Sequence, residues 1–458
     1  MAKTDEQTSA QTDDVSVADL VRDVALALHD GDSPRAAALV TNLHPRDLAD
    51  VIELLSPEHR VALIQALGSA FDYEVLSEID ESVRDQLSEA LPNELLAKAV
   101  TELDTDDAAY LIENLEEADR EEILAQLPKS ERAVLERQLE YPEDSAGRLM
   151  QSDFVAVAPY WTVGQVIAHA RETDDLPDQF SEIFVVDPAF KVLGSVDLSR
   201  LLRTKREVPI SEIMETDLDV VLATADQEEV ARQFERYALL SAPVVDENNK
   251  LVGVITIDDV VEVLQDEAEE DMKALGGVGD ESLGGSVAET ARSRVPWLIV
   301  NLGTAVLGSA VIQMFDATIE QMVALAVLMP IVASMGGNAG TQTMTVTVRA
   351  LATNKLGAAN AMRIIMRESA VGLLNGLILS VIMASVVFLW FGSGRLGAVI
   401  GLAMVVNLLA AALAGILIPL ALHRLKLDPA PASGVFVSMI TDCVGFFAFL
   451  GLASLILF

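Results

Sequence analysis

Cysteine occurs once in the 458 residues, at Cys443, so no intrachain disulfide framework is available. Histidine occurs five times and lysine nine times, and no His/Cys cluster, phosphate-cradling glycine loop or nucleophile elbow is present, which leaves an enzyme the weakest reading. The start, MAKTDEQTSAQTDD, lacks the basic-then-apolar pattern of a secretory signal, so the acidic part of the chain is expected to stay in a reducing cytoplasm. Basic charge is scarce where it would matter for nucleic acid. Of the 31 basic and 70 acidic residues, 9 and 5 lie from residue 292 onward, leaving 22 and 65 before it, a net −43 against +4. A chain without a basic face excludes nucleic acid as a partner.

What the last third has instead is apolar length. Runs starting at Val295, Ile319, Ile364, Leu396 and Gly434 each suffice to cross a hydrocarbon core of about 30 Å as a helix. Five spans are therefore expected within 292–458, and membrane lipid is their surroundings. Arg292, Arg294, Arg349, Lys355, Arg363, Arg367, Arg424 and Lys426 fall on one side and only Arg395 on the other. That bias puts the N-terminus in the cytoplasm and the C-terminus outside the inner membrane.

Two features of these spans exceed what anchoring needs. In the second, Asn338, Thr341, Gln342, Thr345 and Arg349 recur at helical spacing beside Gly336, Gly337 and Gly340, making a polar stripe next to a small-residue stripe. In the fifth, Asp442 lies about 12 Å from the inner end, with no Lys or Arg in the span to pair with it. Intramembrane acids usually face a water-filled path or a bound ion. A lone carboxylate among amide and backbone oxygens suits a hard divalent cation that keeps part of its water. Thiolate and imidazole ligands for softer metals are missing, His423 being the sole histidine of this third.

Before the membrane third, Leu43, Leu55, Leu67, Ile79, Leu91, Leu103, Leu115, Leu127 and Leu139 recur every 12 residues, which predicts short stacked helices forming an all-α solenoid over 1–140. From YPEDSAGRLM the pattern becomes strand, helix, strand, strand, helix, and then repeats. The two α/β copies, 141–205 and 206–261, resemble a tandem pair of CBS domains. Gly253-Val-Ile-Thr256-Ile-Asp-Asp259 matches that family's nucleotide motif, whereas the first copy carries Asp197 and Arg200 at the equivalent places. An acidic stretch, 262–285, then forms a connecting helix. Its acids, like those before it, would repel one another without cations; the low lysine count against 22 arginines also fits a surface adapted to high salt.

Together, the acidic solenoid, paired modules, acidic connecting helix and five spans bearing MPIVASMGGNAGTQ and TDCVGF resemble the MgtE family of magnesium channels. The resemblance implies a homodimer with one pore lined by the second and fifth spans, magnesium as substrate and regulator, and connecting "plug" helices that close the pore. Asp442 and Asn338 would be its pore positions. Glu74, Asp106, Asp226, Glu228, Asp259, Glu267, Glu270, Asp271 and Asp428 would be its regulatory acids, with Tyr110 and Ala238 standing where acids are expected. ATP is the nucleotide implied at Thr256 and Asp259, and the replacements at Asp197 and Arg200 make weak binding the expectation. A divalent-cation antiporter and a membrane-anchored nucleotide sensor share much of this sequence pattern; ion flux, with and without a counter-ion gradient, separates them.

Overall fold

A computed structural model describes residues 17–458 except 174, 175, 178, 280–286, 354 and 358. Residues 1–16 of the expected N-terminal domain and 280–285 of the expected connecting helix lie outside the described residues. Two compact units are distinguished, one ending at Asp266 and the other beginning at Glu267.

Among the described residues the first unit opens with nine α-helices: α1 Val17–His29, α2 Ser33–Val40, α3 Pro45–Leu54, α4 Pro57–Leu67, α5 Glu81–Ala90, α6 Asn93–Glu102, α7 Thr105–Ile112, α8 Glu117–Gln126 and α9 Lys129–Leu139. Pro45 and Pro57 sit at the first helical position, where a missing N–H costs nothing, and Asp32 and Asp80 cap α2 and α5 by accepting N–H bonds from Arg35 and Ser82. The 12-residue leucine repeat falls at the joints: Leu55, Leu91 and Leu127 are buried C-cap residues. Several helices pack on the second one along, α1 on α3, α2 on α4, α5 on α7, α6 on α8 and α7 on α9, which is the stacking of a solenoid. One continuous apolar core runs from Val24 to Leu135.

A short helix, α10 Ala146–Leu149, leads into two sheets built alike. The first has β1 Ala156–Val157, β2 Glu182–Val186 and β3 Val192–Asp197 with α11 Val163–Glu172 and α12 Leu198–Arg203; the second has β4 Val221–Leu222, β5 Ser241–Val245 and β6 Leu251–Thr256 with α13 Gln227–Tyr237. In each, the first strand is parallel to the second and the third antiparallel to it, and each has a register shift at the same place, Val185/Val186 and Val244/Val245. Register pairs Glu182 with Asp197 and Ser241 with Thr256, so Asp197 and Thr256 are structural equivalents. Arg148, buried at the start of the first module, bonds Glu113 of the solenoid at 2.8 Å and the Leu139 and Tyr141 carbonyls, tying α7 and α9 to the modules. Removing one side of such a pair would cost about 3–5 kcal/mol.

Helix α14 runs Ile257–Leu275 without interruption, so the connecting helix begins inside the second module rather than at 262 and stops at Gly276-Gly277. Gly277 adopts φ 71°, a left-handed turn that L side chains resist. The second unit contains α15 Val287–Gln313, the short α16 Asp316–Gln321, and α17 Ala324–Ala352, α18 Ala361–Phe391, α19 Gly394–Arg424 and α20 Pro429–Ile456. Five of these are long and apolar enough to cross a membrane. The second crossing starts at Ala324 instead of Ile319, because α16 forms a separate turn and Met322 is extended.

Helix α19 is the hub, packing on α17, α18 and α20. Small residues permit this: a Cβ on Gly372 would lie 2.6 Å from Ala412, one on Gly376 3.0 Å from the Val405 backbone and one on Gly415 2.7 Å from the Gly340 carbonyl. In lipid, where burial of apolar surface drives little association, such close approach is what holds helices together.

Candidate cation sites and pore

Within the first unit, α7 brings three aspartates to the start of α14. Asp104 precedes α7, Asp106 and Asp107 occupy its first turn, and Asp259 lies in the first turn of α14. Asp106 is 3% exposed and its Oδ1 has no hydrogen-bond partner among the described residues. Burial, then the charges of Asp259, Asp107 and Asp104, hold its carboxyl well above the usual range. Burial and Asp259 push Asp107 to about 7. Asp259 is likewise raised to about 7 by burial, although it accepts the Thr256 hydroxyl at 2.7 Å.

These carboxyls are desolvated and raise one another by like charge. Arg84, which offsets Asp107, lies over the Tyr110 ring 5.5 Å from its centroid. Buried carboxylates with an orphan oxygen fit a hard divalent ion. Among the described residues no three His, Cys, Asp or Glu side chains converge to hold a metal ion.

The other acids expected to regulate are dispersed. Glu74 is exposed in a short 3₁₀ turn, Tyr73–Leu76. Asp226 is the N-cap of α13 and accepts the Glu228 N–H at 3.0 Å, while Glu228 pairs with Arg232 at 2.6 Å. Glu267, Glu270 and Asp271 follow one another along α14, and Asp428 caps α20 through the Ala430 N–H. Ala238 ends α13 in a left-handed conformation, φ 53°.

In the second unit, α17 divides sharply. Val332, Gly336, Gly340, Met344 and Val348 are buried at intervals of four, whereas Asn338, Thr341, Gln342, Thr345 and Arg349 form an exposed stripe. A Cβ on Gly340 would meet Val437 and Thr441 of α20, while Gly336 and Gly445 both meet Asn407 of α19. This register sets Asn338 and Asp442 at one depth. They do not share a face: Asp442 is half-buried, its Cβ facing Gly308 of α15, and Asn338 is exposed. At the inner ends, Ala274 and Leu275 of α14 pack against Met344, Val348, Ala430 and Val437 of α17 and α20.

Residues 329–452 match the MgtE family model, described as a divalent cation transporter, residues 43–144 match the MgtE intracellular N domain, and 146–207 and 210–266 match CBS domains. Over 437 residues the chain is 34% identical to the magnesium transporter MgtE of Thermus thermophilus, covering 94% of this chain and 97% of that one. The chain belongs to the MgtE family. The magnesium transporter MgtE of Bacillus subtilis is 29% identical, covering 95% of this chain and 97% of its own. The crystal structure of an MgtE cytosolic domain in complex with ATP resembles 53% of this chain and 99% of its own at 32% identity, TM-score 0.49. MgtE is a transporter family rather than an enzyme family.

Against the expected MgtE residues, Asp106 and Asp259 come together, and Asp107 joins them although sequence reasoning passed it over; its place beside Asp106 in the same helical turn was the available signal. Asn407 was also missed, because one amide in an apolar run has no periodicity.

Two outcomes are expected. Asp107 and Asp259 bind protons more tightly folded than unfolded, so their contribution to stability is full below pH 3.8 and is lost as pH rises through about 7. Limited proteolysis of the full chain in chelator should therefore quicken between pH 5 and 8 (on the order of one to two units beyond the shifted values), and magnesium at the upper pH should reverse it where sodium of equal ionic strength does not. The second concerns nucleotide. Glu182, lifted to about 7 by burial and by Asp197 opposite it, makes the first module's crease acidic beside Ser241 and Thr256. Calorimetry with ATP, ADP and AMP should show weak binding, strengthened when Asp197 is replaced by threonine.

Proposed function

We propose that this chain is a magnesium-selective channel of the inner membrane, closed from the cytoplasm by magnesium bound to its acidic solenoid and CBS modules. The observation that carries the reading is the exposed polar stripe of α17 at the depth of Asp442. Lipid cannot solvate Asn338, Gln342 and Thr345, so that face needs water and a second copy of the chain. A homodimer encloses a pore between the α17 and α20 pairs, while apolar residues such as Leu374, Ile378, Val381 and Leu389 of α18 face lipid. The basic residues flanking the helices support a cytoplasmic N-terminus and an outer C-terminus.

Two Asp442 carboxylates across a dimer axis would favour a divalent over a monovalent ion at a partly dehydrated constriction. Magnesium, which sheds water reluctantly, would be held through its hydration shell, with Asn338 and neighbouring backbone oxygens as further partners. Regulation would use the same ion. Asp106, Asp107 and Asp259 are the buried group that a cation would neutralise; Glu74, Asp226, Glu228 and Asp428 are exposed or capping positions through which further ions could bridge. Closure would follow when α14, with its tail seated on Met344 and Val348, is held in place by cations at Glu267, Glu270 and Asp271. ATP at Thr256 and Asp259 would modulate this weakly.

Asp442→Asn keeps the shape and removes the charge, so magnesium flux into proteoliposomes should fall by about tenfold or more, with the dimer intact by size; flux equal to the parent's would put the ion site elsewhere. Replacing Glu267, Glu270 and Asp271 together by alanine should leave the channel conducting at high magnesium, since an effector favours closure only as far as it binds the closed state more tightly. Undiminished magnesium inhibition in that variant would contradict the gating role of α14.

A further inference from the structure

Asn407, in the middle of α19, is 1% exposed. Its Nδ2 donates to the Val332 carbonyl of α17 at 2.8 Å, and its Oδ1 is buried without a hydrogen-bond partner among the described residues. The amide occupies room left by two glycines on different helices. A Cβ on Gly336 of α17 would collide with it, and one on Gly445 of α20 would lie 2.7 Å from Nδ2 and 3.0 Å from Cγ. One side chain thus touches both helices that carry Asn338 and Asp442.

An orphaned buried acceptor is a cost that an apolar residue of the same volume would avoid. Stability is therefore not what the amide supplies. Gly445 lies three residues beyond Asp442, about 60° around the helix, and Gly336 lies two before Asn338, on nearly the opposite face of α17. Pressing on Gly445 fixes the rotation of α20 about its axis; bonding Val332 fixes the height and rotation of α17 from behind.

We propose that Asn407 is a positioning residue for ion selection: it sets the rotation and height of α20, which carries Asp442, against α17, which carries Asn338 at the same depth, an inference that rests on the pore reading above. A shift of even 1 Å in a coordinating group changes which hydrated ion fits, and selectivity is read at that scale.

Valine is somewhat larger than the amide and lacks its donor; threonine is close to the amide in volume and keeps a hydroxyl on the valine shape. The full chain with Asn407→Val should unfold at the parent's temperature or above, yet lose most magnesium flux in proteoliposomes and admit calcium more readily, and Asn407→Thr should recover part of both. Flux and discrimination equal to the parent's in Asn407→Val, or a loss of flux matched by a lower unfolding temperature, would overturn the proposal. Gly445→Ala supplies an independent arm: it should impair flux in the parent and do so less in an Asn407→Ala background, where the methyl fills vacated room. Equal impairment in both backgrounds would show that the contact does not position α20. If Asp442→Asn conducts like the parent, the pore reading fails whatever Asn407 does; if Asp442→Asn is dead and Asn407→Val is normal, only the positioning role fails.

Discussion

Buried carboxylates of like sign cannot all be ionised in a low-dielectric junction without a counter-charge, and this constraint ties the first unit of the protein together. Asp106, Asp107 and Asp259 meet where the solenoid abuts the second CBS module, and protons or cations must supply what the side chains do not. The compactness of the first unit thereby depends on its ionic surroundings. Because α14 begins at Ile257, two residues before Asp259, and continues unbroken to Leu275, the conditional junction and the gate candidate share one helix.

The membrane unit obeys a complementary constraint. With little hydrophobic gain between helices in lipid, α17, α18, α19 and α20 depend on glycine and alanine contacts, and a change of one methyl at Gly336, Gly372 or Gly445 meets a neighbour directly. The same intimacy brings one amide, Asn407, against both α17 and α20. Polar groups are placed where packing ends, on the outward face of α17, which is why a second copy of the chain is part of the reading.

Much of this was legible from residue patterns, and the reasons are specific. Apolar length marks five helices able to cross a membrane because lipid imposes that length; α17 starts five residues after Ile319 because Ile319 lies in the separate helix α16 and Met322 is extended. The leucine repeat revealed a solenoid but not that its leucines close the joints, since periodicity does not say which turn a residue occupies. The resemblance implies Glu74, Asp226 and Glu228, and the structure places them as a surface acid, a cap and an ion-pair partner. Burial, which sets Asp106 and Asp107 apart from exposed Asp104, depends on the α7–α14 junction, and the adjacency of the two residues in one helical turn is its only local sign.

Electrical recording from the full chain in a planar bilayer, with cytoplasmic magnesium stepped from chelated to millimolar at constant ionic strength, tests the central claim most directly. The account expects a cation-selective conductance that closes as magnesium rises and reopens on its removal. A conductance indifferent to magnesium, or one that an equal ionic strength of sodium closes as well, would contradict it.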